Sequence, residues 1–151
     1  MSDVKFIREF TIITKMERIE KDGTQFAVIL RKNDQEVNNS LFISESNWPL
    51  QVGILSHSVG YAEKPHYHKL RPRVIKGIPQ MLFLKKGRFS VDFFDNKNIK
   101  FKSVEIFEGD LILLLDGTHM LSVKENMNAI IAKLGPYMGE QEDKVEIFEQ
   151  K

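Results

Sequence analysis

The segment MLFLKKGRFSVDFF, residues 81–94, decides the predicted fold. It contains two apolar runs, residues 81–84 and 88–94, separated by Lys85-Lys86-Gly87. In the second run Phe89, Val91 and Phe93 fall on one face of an extended chain, because side chains alternate between the two faces of a strand. The segment therefore predicts two strands that are separated at the lysine-glycine cluster.

Similar short apolar runs recur on both sides of this segment. They cover residues 26–30, 41–43, 52–58, 101–107, 111–115, 120–123 and 129–134. Turn residues such as Asp22-Gly23 and the DNKN cluster at residues 95–98 separate them. The pattern gives about eight strands at intervals of roughly 8–12 residues, which is typical of an all-β sandwich or barrel. A short helix is possible at either end, and residues 144–150 are ambiguous.

The composition argues against several classes of function. The chain has 151 residues, which is enough for one domain with a buried core. Its net charge of +1 gives no electrostatic reason to expect nucleic acid or an anionic membrane as partner. The lack of cysteine removes disulfides, thiolate catalysis and cysteine-ligated metal sites. We see no signal peptide and no apolar run of about 20 residues, so a cytoplasmic location is expected.

Two of the four histidines stand one residue apart, at His66 and His68. In a strand they would point to the same face and could hold one metal ion together. Pro65 favours extended backbone at Lys64 and cannot lie inside a helix. An isolated His-x-His is nevertheless more typical of a solvated loop, since such short motifs often occur by chance.

The surroundings of the pair favour a metal site. Gly60 precedes it, Gln80 opens a strand that reaches Gly87, and Gly109-Asp110 opens another that is followed by Gly117 and His119. This order resembles the cupin superfamily, whose signature is Gly-x5-His-x-His-x3–4-Glu-x6-Gly and then Gly-x5-Pro-x-Gly-x2-His-x3-Asn. The resemblance covers roughly residues 53–134. It implies a double-stranded β-helix, or jelly-roll barrel, forming a single domain over residues 1–151.

The resemblance also implies a site. His66, His68, Gln80 and His119 would bind one divalent transition metal, such as Fe, Mn, Ni or Zn, inside the barrel. Gln80 stands where cupins have glutamate, and its amide oxygen brings no negative charge. Residues 69–79 lengthen the spacer after His68 and would form an inserted loop at the barrel mouth.

The second half of the signature departs from the pattern as well. Leu115 replaces proline, and His119 is one residue closer to its glycine. Either the turn is shorter or His119 misses the metal, since a one-residue slip turns a strand side chain to the other face. A shortened turn, and a Gly-Pro-Tyr such as the one at residues 135–137, resemble small cupins that are often associated with surface-polysaccharide or nucleotide-sugar pathways.

Three hypotheses of function remain open. The first is a metal-dependent enzyme, an isomerase, epimerase or oxygenase, acting on a small polar or anionic molecule such as a sugar derivative. The second is a metal-free cupin that binds such a ligand as an accessory protein, or in which histidines themselves carry protons. The third is a structural or regulatory module whose barrel is filled by its own side chains.

Further residues are candidates for contacts with substrate or partner. Lys69, Arg71 and Arg73 on the inserted loop could bind a phosphate or carboxylate, although exposed basic residues are ordinarily just solvated. His57 is a candidate acid or base, with a packed or surface role as the more ordinary alternative. A homodimer is expected from the resemblance, and residues 6–13 are candidates for strand pairing at its edge.

Overall fold

Antiparallel strands make up nearly all of the regular structure. The computed structural model describes residues 15–147, and these confirm the all-β class. The strands are β1 (Glu17–Lys21), β2 (Thr24–Leu30), β3 (Leu41–Phe42), β4 (Gly53–Ile54), β5 (Gln80–Phe94), β6 (Lys100–Phe107), β7 (Leu111–Leu114) and β8 (Thr118–Lys133). A 3-10 turn at Lys32–Asp34 follows β2, and one helical turn, α1 (Glu140–Asp143), follows β8.

The central strand of the larger sheet is β5. Its residues 80–83 pair with β7, and its residues 88–94 pair with β6 on the same side. On the other side β8 pairs with β5 from Gln80 to Phe94. Beyond β7 the sheet continues through β2 to β1, whereas β3 and β4 form a separate two-stranded sheet. The strands β6, β7 and β8 thus all pair with β5, which contains the segment 81–94.

The predicted break at Lys85-Lys86-Gly87 is wrong, because β5 continues through it. The pairing with β8 shifts its register there, as expected of β-bulges, which insert residues without ending a strand. Gly87 has a φ of 88°, and a Cβ at this position would lie 2.3 Å from the carbonyl oxygen of Asn126. The two runs predicted at residues 120–123 and 129–134 likewise belong to one strand, β8.

Alternating apolar residues build the core as the sequence pattern predicts. Phe89, Val91 and Phe93 are fully buried on β5. Phe26 packs edge-on against Phe93, with ring centroids 6.0 Å apart, and against Phe101 at 5.0 Å. A second cluster lies beneath β3 and β4 and contains Val28, Leu30, Ile43, Val52 and Leu113. The two clusters lie on opposite faces of β2 and β7, which explains why residues 26–30 of β2 and all four residues of β7 are apolar.

Residues 55–79 form neither strand nor helix. The strand predicted at residues 52–58 is limited to Gly53–Ile54, and the expected strand around His66 and His68 is not formed. Pro65, Pro72 and Pro79 each remove a backbone donor, which disfavours a continuous ladder here. Val59, Leu70 and Val74 are almost fully exposed.

The remaining expectations concern the ends of the chain. The short terminal helix lies at Glu140–Asp143, just before the ambiguous residues 144–150. The candidate edge segment, residues 6–13, lies outside the described residues. Within residues 15–147, no helix combines the length and the apolar character that a membrane crossing requires.

Candidate functional site

A cleft of about 1180 Å³ opens on the inner face of β5 and β8. Gln80 begins β5 and His119 is the second residue of β8, so the two side chains enter the cleft from neighbouring strands. The turn before β8 is tight, and Gly117, with a φ of 77°, packs against the ring of Phe26. The short turn thereby directs His119 towards Gln80.

Hydrogen bonds determine the tautomer of His119. Its Nδ1 lies 3.3 Å from the carbonyl oxygen of Gly117, which can only accept, so Nδ1 carries a proton. Its Nε2 lies 3.2 Å from Nε2 of Gln80, which donates to it. The neutral ring therefore keeps a basic Nε2 lone pair, which faces the cleft and is shared with an amide.

Burial lowers the pKa of His119 below its ordinary value. Loss of water around the ring is the largest cause, because it penalises the charged form. The hydrogen bond to Gly117 acts in the opposite direction, and the positive charge of Lys144 adds to the lowering. His119 is consequently an uncharged imidazole at neutral pH and can accept a proton from a bound molecule.

Charged groups from the C-terminal segment line the far side of the cleft. Lys133 Nζ lies 3.6 Å from Asp143 Oδ2 and 4.5 Å from the ring centroid of Tyr137. Lys144 Nζ lies 2.8 Å from Glu140 Oε1. Each lysine is thus paired with a carboxylate. The cleft offers polar groups of both signs rather than a strong field of one sign.

Apolar side chains complete the lining on the strands themselves. Leu82, Leu121 and Ile131 lie beside the Gln80–His119 pair. Leu121 is 38% exposed and Ile131 55% exposed, although both lie opposite buried residues of β5. An apolar floor with a few polar groups at one end is the usual composition of a small-molecule site.

The other two predicted ligands lie elsewhere. His66 and His68 are on the irregular segment 55–79 and are exposed. Their ring centroids are 5.4 Å apart and nearly perpendicular. His66 Nδ1 lies 2.9 Å from the carbonyl oxygen of Lys64 and 3.6 Å from Glu63 Oε2. The structure therefore forms two separate pairs, Gln80 with His119 and His66 with His68.

This arrangement does not fit a single four-ligand metal site. Among the described residues, no three histidine, aspartate or glutamate side chains come together as metal donors. The Nε2 lone pair of His119, which would bind a metal, instead accepts a hydrogen bond from Gln80. The metal centre that the resemblance implies stays a prediction.

The remaining candidates lie outside the cleft. Lys69, Arg71 and Arg73 are exposed on the irregular segment. His57 is also exposed, and it stacks on Tyr61 with ring centroids 3.9 Å apart. Its Nε2 lies 3.4 Å from Ser40 Oγ. A role of His57 as acid or base stays a prediction.

Sequence reasoning did not identify Lys133, Asp143 and Lys144 as lining residues. Lys133 lies directly opposite Gln80 in the ladder between β5 and β8. Finding it from sequence would have required the register of two strands whose pairing is interrupted by bulges.

Comparisons with known proteins identified no relative: no family model, no curated protein and no solved structure matches the chain.

Proposed function

We propose that the chain is a cupin-type protein that binds a small polar molecule, such as a sugar derivative, in the cleft around Gln80 and His119. We further propose that the binding needs no metal and that His119 exchanges a proton with the ligand. A sugar isomerase or epimerase, or an accessory protein that binds a sugar, is the class of protein that matches these features.

The contact between Gln80 and His119 carries the proposal. The resemblance to the cupin signature groups these residues across 38 intervening positions, and the fold brings their side chains to 3.2 Å. An amide and a neutral imidazole together present donors and an acceptor. Hydroxyl groups can satisfy both, because a hydroxyl donates one hydrogen bond and accepts others.

Proton transfer follows from the same geometry. A ligand hydroxyl or an acidic C–H group that displaces the Gln80 amide from Nε2 would meet a base whose lowered pKa keeps it unprotonated at neutral pH. The proton bonded to Nδ1 is held by Gly117, which fixes the ring orientation during the exchange.

The sheet geometry supports a jelly-roll barrel as the finer description of the fold. The two halves of β5 pair with different strands on one side, β7 and then β6. Bulges lie between those halves and in the facing part of β8, and bulges increase the bend and twist of a sheet. A long bent sheet with its apolar face inward is the wall that a barrel requires.

Ligand binding tests the proposal directly. Hexoses, hexose phosphates and sugar nucleotides would be titrated into metal-stripped protein and followed by amide chemical shifts. We expect saturable shifts around Gln80 and His119, and at least about a tenfold loss of affinity in His119→Asn, roughly the cost of one lost hydrogen bond. His57→Asn is the matched control, since it changes the same residue type outside the cleft. Equal losses in both variants, or binding that appears only with added metal, would contradict the proposal.

A metal-dependent enzyme is the second candidate, and the proximity of His66 to His68 favours it. Two imidazoles with centroids 5.4 Å apart could ligate one divalent ion with little rearrangement. If the ion also reaches Gln80, then Gln80→Glu tightens binding of Mn, Fe, Ni or Zn by adding a charge. A calorimetric titration that shows no binding to the native chain, or the same affinity in His66→Asn, would reject this candidate.

A further inference from the structure

The outer edge of β8 is the longest unpaired edge of the described sheet. Among the described strands, β8 pairs with β5 alone, so the opposite edge presents its backbone groups along Thr118–Lys133. Unpaired edges of this length favour pairing with another strand unless they are shortened, charged or covered. The central part of β8 is irregular, and two regular arms, residues 119–123 and 129–133, flank it.

Both arms present apolar side chains on both faces. Leu121 and Val123 lie opposite the buried Val91 and Phe89, so they point to the inner face, as Ile131 does opposite Leu82. Met120 and Ile130 point to the outer face. These five side chains are between 38% and 57% exposed. The apolar pattern at one end of the strand is thus repeated at the other end.

We propose that a second copy of this chain covers this edge, so that the two β8 strands pair antiparallel about a two-fold axis at Asn126. A two-fold axis perpendicular to the sheet keeps the inner faces of both copies on the same side. Each arm then pairs with the opposite arm of the other copy. Leu121 faces Ile131 across the interface and Ser122 faces Ile130, so apolar surface is buried on both faces.

The positions of the charged residues favour this register over the adjacent registers. An axis at Lys124 would place two lysines opposite each other, and an axis at Glu125 would do the same with two carboxylates, which is destabilising. An axis at Met127 would set Leu121 against Lys133. An axis at Asn126 avoids all three conflicts and pairs residues 119–133 along nearly the whole strand. A second copy of the chain can therefore pair along this edge without placing like charges opposite each other.

Cysteine cross-linking tests the surface and its register together, because the chain has no cysteine of its own. The double variant Ser122→Cys/Ile130→Cys places two thiols opposite each other, at about the 4.5–5.5 Å Cα separation that a disulfide spans. We expect mild oxidation to convert it to a covalent dimer. The single variants Ser122→Cys and Ile130→Cys are internal controls, since each thiol would lie roughly 25 Å from its own copy. Mixing the two single variants should restore the cross-link.

A charged side chain on the edge provides an independent measurement. Ile130→Lys should raise the dimer dissociation constant at least about tenfold, because it removes an apolar side chain from the interface and puts a charged one on the strand edge. Ile99→Lys is the matched control, as Ile99 is 60% exposed in the turn between β5 and β6. Melting curves of both variants would show that the fold is retained.

Three results would overturn the proposal. One is a native chain that remains monomeric in light scattering at about 100 µM, an outcome also expected if the chain's own residues 55–79 cover the edge. Another is a dimer in which the double variant cross-links no faster than the single variants. The third is a dimer that Ile130→Lys and Ile99→Lys weaken equally.

Discussion

His119 shows what the sequence can predict at the scale of a single residue. The resemblance to the cupin signature grouped it with Gln80, and the structure brings the two within hydrogen-bond distance. The same resemblance placed His66 and His68 in one site with this pair, whereas in the structure they lie outside the cleft on the irregular segment. The position of such a segment depends on contacts far away in sequence. The tautomer of His119 was also beyond prediction, since it depends on one carbonyl oxygen in the preceding turn.

The lowered pKa of His119 predicts a pH dependence of stability. The unfolded chain binds a proton at this histidine near its ordinary pKa of about 6.5, whereas the folded chain binds it only at lower pH. Stability is therefore complete above about pH 6.5 and falls as the pH drops from there towards the folded-state pKa. His119→Gln should reduce this slope, and urea unfolding at several pH values between 7.5 and 5 measures it. An unchanged slope would show that His119 is as accessible to protons in the folded chain as in the unfolded one.

At the scale of elements, alternation located the strands but not their continuity. The runs in β2, β6 and β7 were placed within about two residues, because each alternates or stays apolar between clear turns. The lysine-glycine cluster in β5 looks like a turn in sequence and is a bulge in the structure. The difference depends on whether a facing strand continues, which is a tertiary property. β1 was not predicted, since ERIEK has only one buried residue.

Gly87 provides the test at this scale. Gly87→Ala should destabilise the fold by about 2–3 kcal/mol, because the residue has a positive φ and its Cβ would overlap the backbone of Asn126. Gly23→Ala is the control with a similar φ of 78° and nothing within 4 Å of the added carbon, so it should cost about 1 kcal/mol. Chemical denaturation measures both. Equal losses would mean that β5 and β8 move apart at the bulge without cost.

At the scale of the whole molecule, the regular hydrogen-bonded sheet contrasts with the irregular segment 55–79. A partly buried group of charges connects parts of this sheet, since Arg31, after β2, lies 2.7 Å from Asp110, before β7, and 2.8 Å from Glu17 of β1. The all-β class followed from sequence because the alternating runs are local. The course of residues 55–79 did not, because three prolines and many exposed apolar residues give no periodic pattern.

Limited proteolysis tests this contrast. Within the described residues, trypsin should cut first after Lys69, Arg73 or Lys76. It should not cut after Lys64 or Arg71, because each of these precedes a proline. The two fragments should remain associated through the ladders between β2 and β7. Mass spectrometry of the early fragments identifies the sites. First cuts inside β5 or β8 would contradict the distinction between a protected sheet and an accessible segment 55–79. Protection of that segment by an added divalent metal would favour the metal-dependent enzyme as the function.

The pairing of β2 with β7 also has a consequence for the order of events during folding. Residues 27–30 and 111–114 form this ladder, so the hairpin of β1 and β2 is made early in synthesis and finds its neighbour late. Contacts between such distant parts of a chain slow folding to roughly milliseconds or seconds in β proteins. The β2 side chains of the first core cluster, such as Ile29, therefore stay uncovered until β5 and β7 have emerged from the ribosome.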